Sequence, residues 1–418
     1  MTVRRFLLVL SLVLAVFNVQ AVAANYPLIV QLSPLGSITT VTSFLHGTVI
    51  DSIPEANQYL LQVPIVPVLK PMPLLGIEWM ELNQGVTQPF LPRAGYLRVP
   101  QNAAADWYKA QPAMVLINAG RGLAYSTGRG VVVADINSQL DYSHPALLGH
   151  LTSGYDFVTS KPGGATALNQ SSASYLDQSS ASYLDQSSAS YLDQSSASYL
   201  DQSSASYLDG LNPAYSHGTL CAGIIAVVAP DAMVMPLRTF DDNGSADLFM
   251  IAKAIRYGVK QGAHVINMSF GTAIDSKAIS SAVVYAQQRN VVLTASAGNN
   301  NTSTPQYPAA YSGVITTAAT DLRDVKAPFS NYGKPVFVDA PGMNIISAFP
   351  GNLYGLVNGT SFSSPIVAGT AALLSSQNRA GVASRLAAGA INIDGTNPDY
   401  AGQLGYGRID ILKSVEPK

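Results

Sequence analysis

One stretch of small and apolar residues most constrains the fold of this chain. It begins with a turn at residues 358–365 (NGTSFSSP) and continues into the apolar run at residues 366–374 (IVAGTAALL). A small-residue turn that leads into a buried helix places Ser361 at the helix N-terminus, where developing negative charge is stabilised. Because Thr and Ser are also ordinary helix caps, this stretch alone predicts only a buried helix with a candidate nucleophile.

A second small-residue segment supplies the base that such a serine needs. His217 begins the run HGTLCAGII at residues 217–225, which has the composition of another buried helix. A serine hydroxyl requires a base that titrates near neutral pH, and histidine is the usual one. A lone histidine is more often structural, but the two segments together indicate nucleophilic catalysis.

Both segments resemble motifs of the subtilisin-like serine peptidases, and the resemblance extends from about residue 105 to the C-terminus. The family's motif HGTxxAG matches residues 217–223, and its motif GTSxxxP matches residues 359–365. Phe362, Ser363 and Ile366 replace the commoner Met, Ala and His. The resemblance implies a three-layer α/β/α domain with a mostly parallel sheet. It also implies peptide hydrolysis through an acyl-enzyme, with Ser361 as nucleophile and His217 as base and then acid.

The third member of the implied triad falls on an asparagine. Residues 128–147 (GRGVVVADINSQLDYSHPAL) begin with a continuous apolar run that is typical of a buried parallel strand. Matched to the family pattern without gaps, they put Asn137 where the triad aspartate stands. Asn137 is neutral, and a flipped amide would hold the wrong histidine tautomer. Asp135 lies on the same strand face, and a compensated two-residue slip would bring it to this position instead.

The resemblance implies further site residues. Asn299, in the segment Ala-Gly-Asn, corresponds to the side chain that donates a hydrogen bond to the oxyanion. The implied substrate-binding residues are Ser269, Phe270 and Gly271 at one edge of the cleft and Gly244 and Ser245 at the other. Phe270 equally fits a position in the core.

These residues are compatible with two functions. Retention of His217, Asn299 and Ser361, none of which the fold requires, favours an exported serine endopeptidase, whose activity would be weak if Asn137 replaces the triad aspartate. The alternative is a catalytically impaired pseudo-enzyme that acts as a secreted peptide-binding module.

The N-terminal residues are typical of an exported precursor. Residues 1–24 contain Arg4 and Arg5, an apolar run and a small-residue end, which is the order of a cleaved secretory signal. Residues 25–101 contain strand patterns at 26–32, 59–63 and 76–82. Their position implies an inhibitory, folding-assisting propeptide, with an uncleaved N-terminal domain as the alternative. Residues 102–418 would then be the peptidase domain.

A low-complexity array interrupts the predicted peptidase domain. The octet QSSASYLD occurs five times without change at residues 170–209. A period of eight fits neither a helix face nor a strand face, so the array is interpreted as an insertion in a surface loop.

The composition of the chain restricts the classes of partner that it can bind. The net charge of −2 and the absence of a basic cluster argue against nucleic acid, and no stretch reaches the ~20 apolar residues of a membrane span. Cys221 is the only cysteine, so no intramolecular disulfide forms, and we expect a buried thiol. No acidic spacing typical of a calcium loop is present. We therefore expect an exported monomer without metal or other cofactor, whose partners are polypeptide substrates and its own propeptide.

Overall fold

The computed structural model describes residues 25–88, 93–98, 106–163 and 216–417. The predicted secretory signal and the octet repeats lie outside these residues, so both stay predictions. The chain divides into two compact units between Gln84 and Gly85. Within the described residues, no helix is both long and apolar enough to cross a bilayer.

The first unit is a small antiparallel sheet with one helix. Its elements are β1 (Tyr26–Leu32), α1 (Ile38–Leu45), β2 (Thr48–Ile53), β3 (Gln58–Val63) and β4 (Ile77–Leu82), and the sheet order is β2-β3-β1-β4. Alternate residues of β1, Leu28 and Val30, are buried in a core that they share with Val41 of α1. All three strands predicted in this region are present, each within one residue of its predicted bounds.

The second unit contains the remaining strands and helices. Its strands are β5 (Gly85–Thr87), β6 (Arg93–Arg98), β7 (Val132–Asn137), β8 (Tyr155–Asp156), β9 (Lys161–Pro162), β10 (Met233–Arg238), β11 (Ser245–Asp247), β12 (Val265–Met268), β13 (Val292–Ser296), β14 (Ile315–Thr320), β15 (Val338–Pro341), β16 (Ile345–Phe349) and β17 (Leu353–Val357). Its helices are α2 (Asp106–Lys109), α3 (Pro112–Leu116), α4 (Ala119–Gly122), α5 (His217–Val228), α6 (Leu248–Lys260), α7 (Lys277–Gln287), α8 (Thr360–Gln377), α9 (Val382–Gly389) and α10 (Ile411–Val415).

The main sheet has the order β15-β14-β13-β12-β7-β10-β8-β9, and its neighbouring strands are parallel except for the pair β8 and β9. On one face, Val133 and Val265 belong to the core that contains α5 and α8. On the other face, Ala134 and Ile266 lie beside Gly258 of α6. Since both faces are covered, the central strands β7 and β12 are buried on both sides and mostly apolar, with Asp135, Asn137 and Asn267 as buried polar exceptions. This confirms the predicted α/β class with a mostly parallel sheet.

The structural division falls earlier in the chain than the predicted boundary at residue 101. β5 pairs antiparallel with β11, and β6 pairs antiparallel with β17. Residues 85–87 and 93–98 therefore belong to the second unit, because their backbone hydrogen bonds are made there. The site of proteolytic maturation stays a prediction.

Candidate active site

The candidate site lies where several elements of the second unit begin or end. Asn137 is the last residue of β7, His217 the first residue of α5, and Ser361 the second residue of α8. Ser269 and Asn299 follow the carboxyl ends of β12 and β13. In a parallel α/β sheet, the loops at these strand ends form the binding crevice.

The His217 ring is oriented by the amide of Asn137. His217 Nδ1 lies 2.7 Å from Asn137 Oδ1, which also accepts from the Ser138 backbone N–H at 2.9 Å and from Gln88 Nε2 at 2.8 Å. A carbonyl oxygen accepts only, so Nδ1 carries the proton and Nε2 is the basic nitrogen. Nε2 is buried and has no hydrogen-bond partner among the described residues. Burial lowers the pKa of His217 to about 4, so the ring is neutral at physiological pH.

Asp135 lies one hydrogen bond further from His217. Its Oδ2 accepts from Asn137 Nδ2 at 3.1 Å, and its Oδ1 accepts from Asn267 Nδ2 at 2.7 Å. Burial raises the pKa of Asp135 to about 7, against the opposing effect of these two hydrogen bonds. Of the two residues that the sequence left open, Asn137 is therefore the one in contact with the imidazole.

Ser361 is fully buried in the first turn of α8. Its Oγ donates to the carbonyl oxygen of Ser269 at 3.3 Å, and its own carbonyl oxygen accepts from Ser269 Oγ at 2.9 Å. The Ser361 hydroxyl forms no hydrogen bond with His217 in this structure, a bond that often forms only in the substrate complex. The rings of His217 and Phe362 are 5.7 Å apart, so the N-termini of α5 and α8 lie side by side.

The side-chain amide of Asn299 has a hydrogen-bond donor that is not used within the described part of the structure. Its Oδ1 accepts from the backbone N–H of Thr360 at 2.9 Å and from Thr360 Oγ1 at 2.8 Å, which fixes the orientation of the amide. Nδ2 is buried and has no partner among the described residues. An unpaired buried donor costs about 1–3 kcal/mol, and a developing oxyanion would satisfy it.

At the two predicted substrate edges, one predicted residue packs in the core and one strand is already paired. Phe270 is fully buried, with its ring 5.1 Å from that of Phe240, so it packs in the core. The other edge is occupied: Ser245 of β11 pairs with Thr87 of β5, and the backbone N–H of Gln88 donates to the Gly244 carbonyl oxygen.

Gln88 is the residue of this region that sequence reasoning missed. Its side chain is buried, and its Nε2 reaches Asn137 Oδ1. No local pattern marks it, because its position follows from the pairing of β5 with β11, more than 150 residues away in the chain.

Cys221 lies in the same helix as His217 and is fully buried, as expected. Its Sγ is 3.8 Å from His217 Nδ1 and 3.5 Å from the Ser361 carbonyl oxygen. Burial, followed by the charge of Asp135, raises the pKa of the thiol, which makes it a neutral packing group. Among the described residues, no cluster of three or more His, Cys, Asp or Glu side chains is arranged to hold a metal ion.

Fold and site together define a class, the subtilisin-like serine endopeptidases, and comparison with known proteins agrees. Residues 128–396 match the sequence model of the subtilase family, Peptidase_S8. A thermophilic serine proteinase of Bacillus sp. (strain AK1) is 33% identical over 367 residues, which are 84% of this chain and 75% of that protein. The chain belongs to the subtilase family.

One further sequence relative supports this conclusion, and one solved structure supports the fold. Thermitase of Thermoactinomyces vulgaris is 40% identical over 214 residues, 48% of this chain and 75% of thermitase. The crystal structure of fervidolysin from Fervidobacterium pennivorans, a keratinolytic enzyme related to subtilisin, superposes with a TM-score of 0.68 at 22% identity. The superposition covers 94% of this chain and 61% of fervidolysin and supports the fold alone.

Proposed function

We propose that this subtilase is an exported endopeptidase that hydrolyses peptide bonds through an acyl-enzyme on Ser361. One observation carries the proposal: His217 Nε2, a buried acceptor, and Asn299 Nδ2, a buried donor, both lack partners among the described residues. Both belong to segments that meet the N-terminus of α8. Since buried polar groups are normally hydrogen-bonded, two such atoms on residues that contact Thr360 and Phe362, the neighbours of Ser361, favour a site that pairs them with a reacting substrate.

The proposed reaction uses these atoms in turn. His217 Nε2 takes the proton of the Ser361 hydroxyl as Oγ attacks the carbonyl carbon, and the resulting oxyanion accepts from Asn299 Nδ2. The imidazolium then gives this proton to the leaving amine, and water attacks the ester by the same route in reverse. Asn137 Oδ1 accepts from Nδ1–H throughout but, being neutral, stabilises the imidazolium less than a carboxylate does. In a serine peptidase with the same triad roles, Asp→Asn lowers kcat about 10⁴-fold.

We also propose that residues 1–24 direct export and that residues 25–101 act as an inhibitory propeptide. Support for the second role comes from β5 and Gln88. They occupy the β11 edge, where a substrate backbone is expected, and Gln88 reaches the triad amide. A segment of the chain bound along this edge would exclude a substrate until it leaves.

A fluorophosphonate probe tests the enzymatic proposal, because labelling requires an activated serine. The purified mature chain is expected to be labelled and to hydrolyse an unstructured peptide, whereas Ser361→Ala is expected to do neither. Asn299→Ala should lower kcat about 10²- to 10³-fold with an unchanged circular dichroism spectrum. A correctly folded mature chain that neither reacts nor hydrolyses would instead support the peptide-binding alternative.

A further inference from the structure

The amide of Asn137 has one orientation that its surroundings permit. Its Oδ1 accepts from the Ser138 backbone N–H at 2.9 Å and faces His217 Nδ1, while its Nδ2 faces the carboxylate of Asp135 at 3.1 Å. Gln88 Nε2 also donates to Oδ1, but it belongs to the segment proposed to leave on maturation, so the orientation must hold without it. In the flipped orientation, Nδ2 would point at the Ser138 backbone N–H, and Oδ1 would point at the carboxylate oxygen. Both contacts would be repulsive, so the carboxylate selects the orientation that presents an acceptor to His217.

We propose that Asp135 is a positioning residue of the catalytic machinery, which acts on His217 through the amide of Asn137. In this pair of residues, Asn137 supplies the acceptor for Nδ1–H and Asp135 supplies the negative charge. Together they replace the single carboxylate of the usual triad. The proposal rests on the proposed peptidase function. It adds the residue that allows an asparagine to take the place of the triad aspartate.

Two effects follow from the geometry. First, fixing Oδ1 toward Nδ1–H keeps the proton off Nε2, the nitrogen that must accept from Ser361. Second, a carboxylate that accepts from Nδ2 polarises the amide, so that Oδ1 becomes a stronger acceptor for the imidazolium that forms during catalysis.

The surroundings of Asp135 favour a functional explanation over a structural one. The carboxyl group is buried, and no Lys or Arg among the described residues forms an ion pair with it. Its partners are the neutral amides of Asn137 and Asn267, and Asn267 Oδ1 in turn accepts from Ser364 Oγ of α8. A buried acid without a cationic partner costs free energy, so it is a poor choice for stability alone.

A double-mutant cycle on the full mature chain separates positioning from structure. In the parent, Asp135→Asn removes the charge and lets the Asn137 amide flip, so kcat/KM should fall about 10- to 100-fold, mainly through kcat. In an Asn137→Asp background, a carboxylate accepts directly from His217. There, Asp135→Asn should cost nothing or raise the rate by relieving like-charge crowding.

A spectroscopic readout makes the test independent of turnover. ¹⁵N NMR of the His217 ring above pH 8 should show the Nδ1–H tautomer in the parent and a mixture of tautomers in Asp135→Asn. Thr294→Val is the matched control, since it alters the far side of the same network, where Thr294 Oγ1 donates to Asn267 Oδ1 at 3.3 Å. It should leave both the tautomer and kcat/KM nearly unchanged.

The outcomes are distinguishable. Equal losses for Asp135→Asn in both backgrounds, with an unchanged tautomer, would overturn the positioning role while leaving the peptidase proposal intact. Absence of hydrolysis and labelling in every variant, Asn137→Asp included, would refute the peptidase proposal instead. In that case the tautomer would still decide whether Asp135 orients the ring.

Discussion

At the scale of single residues, two side chains of the site share the role that a single aspartate has in the usual triad. The contact with His217 Nδ1 is made by Asn137, at 2.7 Å, and the nearest carboxylate of this network belongs to Asp135. An aspartate at position 137 would be both acceptor and counter-charge. Here the charge lies beyond an amide, so its effect on the imidazole depends on the ionisation of Asp135.

This dependence predicts the pH profile. Because burial raises the pKa of Asp135 to about 7, the carboxylate predominates above that pH, and below it the protonated acid predominates and permits the amide to flip. The kcat/KM of the parent should therefore fall as pH decreases through about 7. In Asp135→Asn the remaining acidic limb belongs to His217, whose pKa is lowered by burial to about 4.

The other groups that face Asp135 do not titrate in this range. From α5 they are His217 and Cys221, whose thiol pKa is raised by burial, and from β12 the uncharged Asn267. The profile should be measured with a peptide that has no titratable side chains. An acidic limb that stays near 7 in Asp135→Asn would show that another group controls the rate.

At the scale of elements, the packing of α5 against α8 sets the separation of the base and the nucleophile. His217 and Ser361 stand at the N-termini of these two buried helices. Further along, Gly369 of α8 lies against Val228 of α5, where a Cβ on the glycine would come within 2.7 Å of Val228 Cβ. The glycine therefore permits a close approach of the helices that no larger residue allows.

Gly369→Ala should overpack this contact and destabilise the fold by about 1–3 kcal/mol. The measurement is the Tm from thermal unfolding, expected to fall by several degrees. Gly120→Ala in α4 is the matched control, because a Cβ there meets nothing within 4 Å. The control should keep or slightly raise the Tm, since alanine reduces the entropy of the unfolded chain. Equal Tm values for the two variants would contradict a tight helix contact at Gly369.

At the scale of the whole molecule, the chain comprises two compact units that meet in sequence at Gly85. Residues 102–418 expressed alone should fold poorly, and separately expressed residues 25–101 should restore folding. Poor folding is expected for two reasons. The N-terminal segment resembles a folding-assisting propeptide, and its removal also leaves the edges of β11 and β17 without their partners β5 and β6. Recovery is measured by circular dichroism and, after residues 25–101 have been separated from the refolded chain, by peptide hydrolysis.

Expression of residues 85–418 distinguishes the two reasons, because this chain keeps β5 and β6 but lacks the first unit. Poor folding of this chain, rescued in trans, would support a folding-assisting propeptide. Normal folding of residues 85–418 would contradict that role and assign the defect of residues 102–418 to the lost strands.

The sequence alone determined the α/β class, the strands at residues 26–32, 59–63 and 76–82, the buried strand that precedes Asp141, and the two buried helices that carry His217 and Ser361 in their first turns. These features depend on local patterns, since apolar runs and small-residue turns act over a few neighbouring residues. Only the tertiary structure decided that Asn137 contacts His217, that Asp135 lies behind it, and that Gln88 reaches the same amide. Those contacts join residues 80 and 49 positions apart, and alternating strand residues of one face look equivalent until the chain folds.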